Sequence, residues 1–162
     1  MTGGARTGVT TYATPSDREV VVTRVVDAPR RIVFDAWTNP KHVPRWLLGP
    51  EGWTMPVCEI DLRPAGKWRM VWRKADGSEM AMSGSYREVV PPERVVNTER
   101  WGPEWPETVN TVAFTESQGR TTITLTILYP SKEARDAALK TGMKDGMDQS
   151  FARFDELLRA LR

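Results

Sequence analysis

The stretch that most constrains this chain is its last, Pro130 to Arg162. Apolar residues recur there at Leu139, Met143, Met147, Phe151, Phe154, Leu158 and Leu161, three or four apart, which predicts one face of one long helix. Ser131 is placed to cap its start, and Glu133 falls in the first turn, where a carboxylate suits the free N–H groups. The other face carries Lys132, Arg135, Asp136, Lys140, Asp145, Arg153, Glu156 and Arg159. A helix this amphipathic needs an apolar surface to lie on. The middle of the stripe is Gly142, Met143, Gly146 and Met147. Glycine costs roughly 1 kcal/mol in a helix relative to alanine, and methionine adapts to uneven spaces. Two readings follow: an irregularly packed core, or a cavity between the helix and its support.

The support is read from the preceding residues as antiparallel strands. Residues 1–17 are rich in Gly, Thr, Ala and Ser and are expected to be a flexible tail, with a short strand at Val9–Tyr12 as an alternative. One domain is expected over residues 18–162. Arg18–Asp27 is a β-branched strand whose alternation falters at Arg24, which suggests a bulge or an edge position. Ala28–Trp37 has helical spacing, with Pro29 in its first turn. Asn39-Pro40 ends it, and a second short helix runs from Lys41 to Leu47. Strands then follow. Thr54–Leu62 places Pro56, Cys58, Ile60 and Leu62 on one face, with Glu59 and Asp61 on the other. Lys67–Lys74 alternates Trp68, Met70 and Trp72 with Lys67, Arg69 and Arg73. Asp76-Gly77 signals a hairpin, and Met80–Val90 returns with Met80, Met82, Gly84 and Tyr86 on one face. Arg94–Trp101 is a strand, and Thr108–Ser117 and Arg120–Tyr129 form a last hairpin around Gln118-Gly119. The fold class is therefore α+β: a bent antiparallel sheet of about six or seven strands around a long C-terminal helix, with two short helices after the first strand.

Four stretches carry a resemblance. They are WTNPKHVPRWLLGP (Trp37–Pro50), DLRPAGKW (Asp61–Trp68), GSYREVVPPERVVNTERW (Gly84–Trp101) and GMKDGMDQSFARFDELL (Gly142–Leu158). Over roughly Glu19 to Leu161 the chain resembles the AHSA1-like domain, first described in activators of the Hsp90 ATPase and found in small stand-alone bacterial proteins. That family lies within the START-like (SRPBCC) group, with a helix-grip fold. Ala65 stands where the family often has a second glycine. The resemblance implies a cavity between sheet and helix rather than a reaction. Chaperone activation belongs to a larger relative with an additional N-terminal domain, for which the short tail here leaves no room.

The residues themselves offer little chemistry. His42 is the only histidine and reads as a partly exposed surface residue. Cys58, the only cysteine, excludes an intramolecular disulfide, suits a reducing cytoplasmic setting, and reads as a small buried hydrophobe. Glu59 and Asp61 share a solvated face. No phosphate loop or dinucleotide fingerprint is present, and no catalytic residue, metal site or cofactor is expected. A formal charge of +2, with acidic and basic residues interspersed, argues against nucleic acid. No apolar run is long enough to insert into a membrane, and no apolar segment follows Arg6 to act as an export signal.

Seven tryptophans and seven methionines shift the weight towards a ligand pocket, because a filled core usually draws on Leu, Ile and Val. The expected lining is Trp46, Cys58, Trp68, Met70, Trp72, Met82, Tyr86, Met143, Met147 and Phe151, with Trp46 closing the mouth. Arg69, Glu99 and Arg100 are polar candidates whose direction depends on strand parity; an inward arginine would imply an anionic or carbonyl-bearing ligand. The expected function is non-enzymatic binding of a hydrophobic or aromatic small molecule or lipid. The alternatives are a protein-interaction or chaperone-related module and a cyclase- or hydrolase-type enzyme. Trp105, between Pro103 and Pro106, is the candidate for a partner surface, a homodimer contact or a lid.

Overall fold

The computed structural model describes residues 7–162; the expectation for residues 1–6 lies outside them. Its elements run β1 (Thr10–Ala13), β2 (Glu19–Val26), α1 (Arg30–Thr38), α2 (Val43–Trp46), β3 (Trp53–Ile60), β4 (Lys67–Lys74), β5 (Glu79–Val90), β6 (Arg94–Glu99), β7 (Thr108–Ser117), β8 (Arg120–Leu128), α3 (Lys132–Leu139) and α4 (Met143–Leu161). One antiparallel sheet has the strand order β1-β2-β8-β7-β6-β5-β4-β3. Hairpin chemistry sets much of this order. Gln118 and Gly119 both take positive φ, as a two-residue turn matching the twist of its strands requires. The Asp76 carboxylate accepts from the Ser78 N–H at 2.8 Å in the β4–β5 turn.

Four features correct the sequence expectations. The sheet has an eighth strand, because Thr10–Ala13 pairs with the outer edge of β2, close to the strand offered at Val9–Tyr12 as the alternative to a flexible tail. Tyr12 anchors it, its hydroxyl donating to Asp148 Oδ1 at 2.7 Å on α4. The C-terminal stretch is two helices, not one. Gly142, at φ +81°, adopts a left-handed geometry that only glycine takes cheaply, and this ends the run of helical hydrogen bonds. No residue of α3 is fully buried, so α4 alone packs as a core helix. In β3 the register shifts between Thr54 and Val57. The shift reverses parity locally: Met55 is buried and Pro56 exposed, while Cys58, Ile60 and Leu62 still pack against the core. A proline without an N–H is tolerated there because β3 is a sheet edge. Finally, β2 pairs with β8 without a bulge, and Arg24 simply points inward.

Gly84 marks where the sheet bends. A Cβ there would run into the Thr98 carbonyl on β6 and the Trp68 indole. Its absence lets Trp68 lie across β5 and donate its N–H to Thr98 O at 3.2 Å.

Candidate functional site

The space between α4 and the sheet has two ends that differ in packing. At the first, α1, α2 and the C-terminal half of α4 close over β2, β7 and β8. Phe34, Trp37, Trp46, Phe114, Phe151 and Phe154 form one aromatic cluster, with Trp46 and Phe154 at 4.5 Å and Phe34 and Phe114 at 5.4 Å between ring centroids. Edge-to-face geometry at these distances is favourable beyond simple burial. Arg24 lies under the helix here. It pairs with Asp155 at 2.5 Å, bonds Thr10 Oγ1 and lies 5.1 Å from the Phe151 ring centroid.

The second end lies between the N-terminal half of α4 and β3–β6. Trp68, Met70, Trp72, Met82 and Tyr86 form its floor and are buried. Other residues packed against the core at this end keep water access: Cys58, Ile60 and Leu62 from β3 and its exit, Met143 and Met147 from α4. Polar groups sit among them. Asn97 on β6 is paired with Tyr86 on β5 and Asn110 on β7. Glu99, two residues on, accepts from Asn110 Nδ2 at 2.8 Å and from Trp101 Nε1 at 2.7 Å. Burial raises the Glu99 carboxyl above the ordinary carboxylate range, against the two hydrogen bonds that lower it. Burial first, then the Glu99 charge, pushes the Tyr129 hydroxyl up to about 12. Tyr129 in turn reaches Met143 Sδ at 3.9 Å, which brings Tyr129 and the start of α4 together near Glu99. Tyr86 forms no side-chain hydrogen bond among the described residues, and its hydroxyl is not sealed off as the unpartnered atoms of Arg24 and His42 are.

This distribution divides the expected lining. Cys58, Trp68, Met70, Trp72, Met82, Tyr86, Met143 and Met147 fall at the second end. Trp46 and Phe151 fall in the aromatic cluster at the first. Trp46 does not close a mouth: it is 2% exposed and its N–H donates to Ala36 O at 3.0 Å. The exposed indole near Trp72 is Trp101, stacked 5.4 Å from it and 38% exposed. Its only sequence signal was position, one turn of chain beyond a strand that ends in the hollow. Trp72 donates to Leu47 O at 2.7 Å, tying β4 to the segment after α2. That segment is pinned to α4 by Ser150 Oγ on the Gly49 N–H and Arg153 Nη1 on Gly49 O. Of the three polar candidates Glu99 faces in. Arg69 points outward beside Glu59, and Arg100 is exposed with Nη1 on Trp105 O.

The remaining chemistry is muted. Burial, reinforced by Glu59, pushes the Cys58 thiol up to about 11, so it stays protonated and a poor nucleophile. His42 Nε2 lies 3.3 Å from Asp35 Oδ2 on α1. Two concavities are open on the surface: a groove of about 490 Å3 over Lys67, Arg69, Ser83 and Ser85 on the outer face of the sheet, and one of about 330 Å3 beside Arg45, Arg153 and Glu156. Neither is lined by Met143 or Met147. No helix among the described residues is long and apolar enough to cross a membrane.

Known proteins with this architecture come from several bacteria. A protein from Rhodobacter sphaeroides is 26% identical, over 95% of this chain and 100% of that one, with a TM-score of 0.88. A protein from Mycobacterium smegmatis is 23% identical, over 93% and 97% of the two chains, with a TM-score of 0.82. The AHSA1-like protein from Aeromonas hydrophila is 18% identical, over 85% and 93%, with a TM-score of 0.69. These likenesses speak to the helix-grip fold. A comparison with curated proteins finds no match. The family model of the Activator of Hsp90 ATPase homolog 1-like protein matches residues 27–159, nearly the whole span from the end of β2 to the end of α4. The chain therefore belongs to the AHSA1-like family.

Proposed function

We propose that this chain binds a hydrophobic or aromatic small molecule, without chemical conversion, between β3–β6 and the N-terminal half of α4. One observation carries the reading: Met143 and Met147 on the N-terminal half of α4 keep water access, whereas Phe151 and Phe154 further along the same helix are buried. Cys58, Met70, Met82, Met143 and Met147 supply adaptable apolar surface, and the Trp72–Trp101 stack supplies an aromatic wall. The glycines of α4 fit the same picture. Gly142 separates α3 from α4, and a Cβ on Gly146 would meet the Pro50 ring at 3.4 Å and the Gly49 Cα at 3.8 Å, so there the helix rests on the segment after α2 rather than directly on the sheet.

The test is titration of the purified protein with the neutral apolar dye Nile red, alongside native mass spectrometry for a retained small molecule. The expected result is one-to-one binding that Met147→Trp weakens at least about tenfold by filling the space, with thermal stability kept. Absence of both dye binding and a retained molecule overturns the reading.

A second reading, a surface for a protein partner, is favoured by Met80, Trp101 and Trp105, which are 37–38% exposed. Trp101 stacks on Trp72, whose cross-strand neighbour is Met80. If this surface mediates self-association or partner binding, Trp105→Ala changes the oligomeric state or the partner affinity and leaves dye binding intact.

A further inference from the structure

The hollow carries a carboxylate without a counter-charge. Glu99 Oε1 accepts from Asn110 and Oε2 from Trp101, and both donors are neutral. A carboxylate offers about four lone-pair positions, so two remain open. Among the described residues no lysine, arginine or histidine forms an ion pair with it. The neighbouring Arg100 sends its guanidinium to the Trp105 carbonyl, and Arg69 lies on the outer face. Arg24, the inward cation, is committed to Asp155 and Thr10 at the filled end. The other polar groups nearby, Asn97, Thr108 and Tyr129, are neutral, and Thr108 Oγ1 donates to Asn110 Oδ1 at 3.1 Å, which holds the amide with its N–H2 towards Glu99. An uncompensated charge in an apolar setting is costly. The protein nevertheless spends two oriented donors on this one, which positions it without neutralising it.

Resting on the small-molecule reading above, we propose that the ligand is an apolar or aromatic molecule ending in a protonated amine, and that Glu99 is the group that receives the amine. The ammonium supplies the missing positive charge and can fill the open lone pairs with charge-assisted hydrogen bonds. The Trp72–Trp101 stack beside it offers aromatic faces that also attract a cation. The apolar remainder lies over Met70, Met82 and Met147. A carboxylate-bearing ligand would meet like charge with no cation to offset it.

The experiment is calorimetric titration at neutral pH with three probes of nearly the same shape: naphthylmethylamine, naphthalenemethanol and naphthoic acid. The wild type is expected to bind the amine about tenfold more tightly than the alcohol, and the acid most weakly. Glu99→Gln, which preserves shape and acceptor oxygen, is expected to erase the amine's advantage, whereas Glu104→Gln on the exposed loop keeps it. Equal or tighter binding of the alcohol or acid by the wild type overturns the amine assignment and leaves the small-molecule reading standing. So does an amine preference that survives in Glu99→Gln. No binding of any of the three overturns both.

Discussion

The two ends of α4 belong to one helix over one sheet, yet one is filled with buried rings and the other keeps partly exposed side chains. At the filled end, Phe151 and Phe154 are 1% and 0% exposed and meet Trp37 and Trp46 across short aromatic contacts. At the open end, one and two turns earlier on α4, Met147 and Met143 stay partly exposed. The difference comes from what the helix rests on. Its C-terminal half leans on α1 and α2, which fill the bend of the sheet. Its N-terminal half meets the Gly49–Pro50 segment and Tyr12 of β1, and begins at a glycine break. Aromatic rings are stiff and seal the first; methionines and a few polar groups border the second. Stability is expected to reside at the filled end, and recognition at the open one.

That contrast can be broken by substitution. Phe154→Ala should have the largest effect, a loss of about 4 kcal/mol in denaturant unfolding, because a fully buried ring leaves a cavity that α1 and α2 cannot collapse into. A loss below about 1 kcal/mol would remove the case for a rigid end. Asp155→Ala should cost about 3 kcal/mol by stranding the buried Arg24 guanidinium, and replacing both residues by apolar ones should recover much of it.

At the open end the expected effects are smaller or of another kind. Cys58 should react with a maleimide at mildly alkaline pH on the order of a hundredfold more slowly than an ordinary thiol, since its pKa of about 11 leaves little thiolate. Rapid labelling would place it in a different environment. Met147→Ala should cost about 1 kcal/mol, well below Phe154→Ala, because the side chain is only partly buried. The smallest effect concerns Glu99→Gln. A carboxyl raised in the folded state keeps its proton after the unfolded chain has lost it, so its contribution to stability falls as pH rises from the ordinary glutamate range. The wild type and Glu99→Gln should therefore melt alike in acid. The variant should melt about 2 °C higher at neutral pH, and the gap should close when an amine is bound. A variant less stable at neutral pH would show that the charge is already compensated.

Much of the architecture was legible because it depends on local rules. The alternation of Trp68, Met70 and Trp72, the Gln118-Gly119 turn, the proline after Asn39 and the stripe from Phe151 to Leu158 each act within a few residues. The misreadings fall where a neighbour distant in sequence decides. Alternation put Pro56 on the face of Cys58 and Ile60, but the bulge that turns Pro56 outward depends on pairing with β4. Gly142 was visible as a weak helical residue, yet whether it bends, caps or breaks the helix depends on what α3 can pack against. Arg24 interrupted a run of valines without revealing Asp155, which lies 131 residues away.

By itself the sequence determined the alternation of strands and helices and the amphipathic face of α4, because those follow from residue period and local backbone preference, and it carried the four stretches that mark the family. The tertiary structure alone decided that Trp46 belongs to the core while Trp101 stacks on Trp72 at the surface, and that Glu99 turns inward while Arg69 and Arg100 turn out. One residue of strand parity separates those outcomes, and parity is set by hydrogen-bonded register between strands, which no stretch of a single chain specifies on its own.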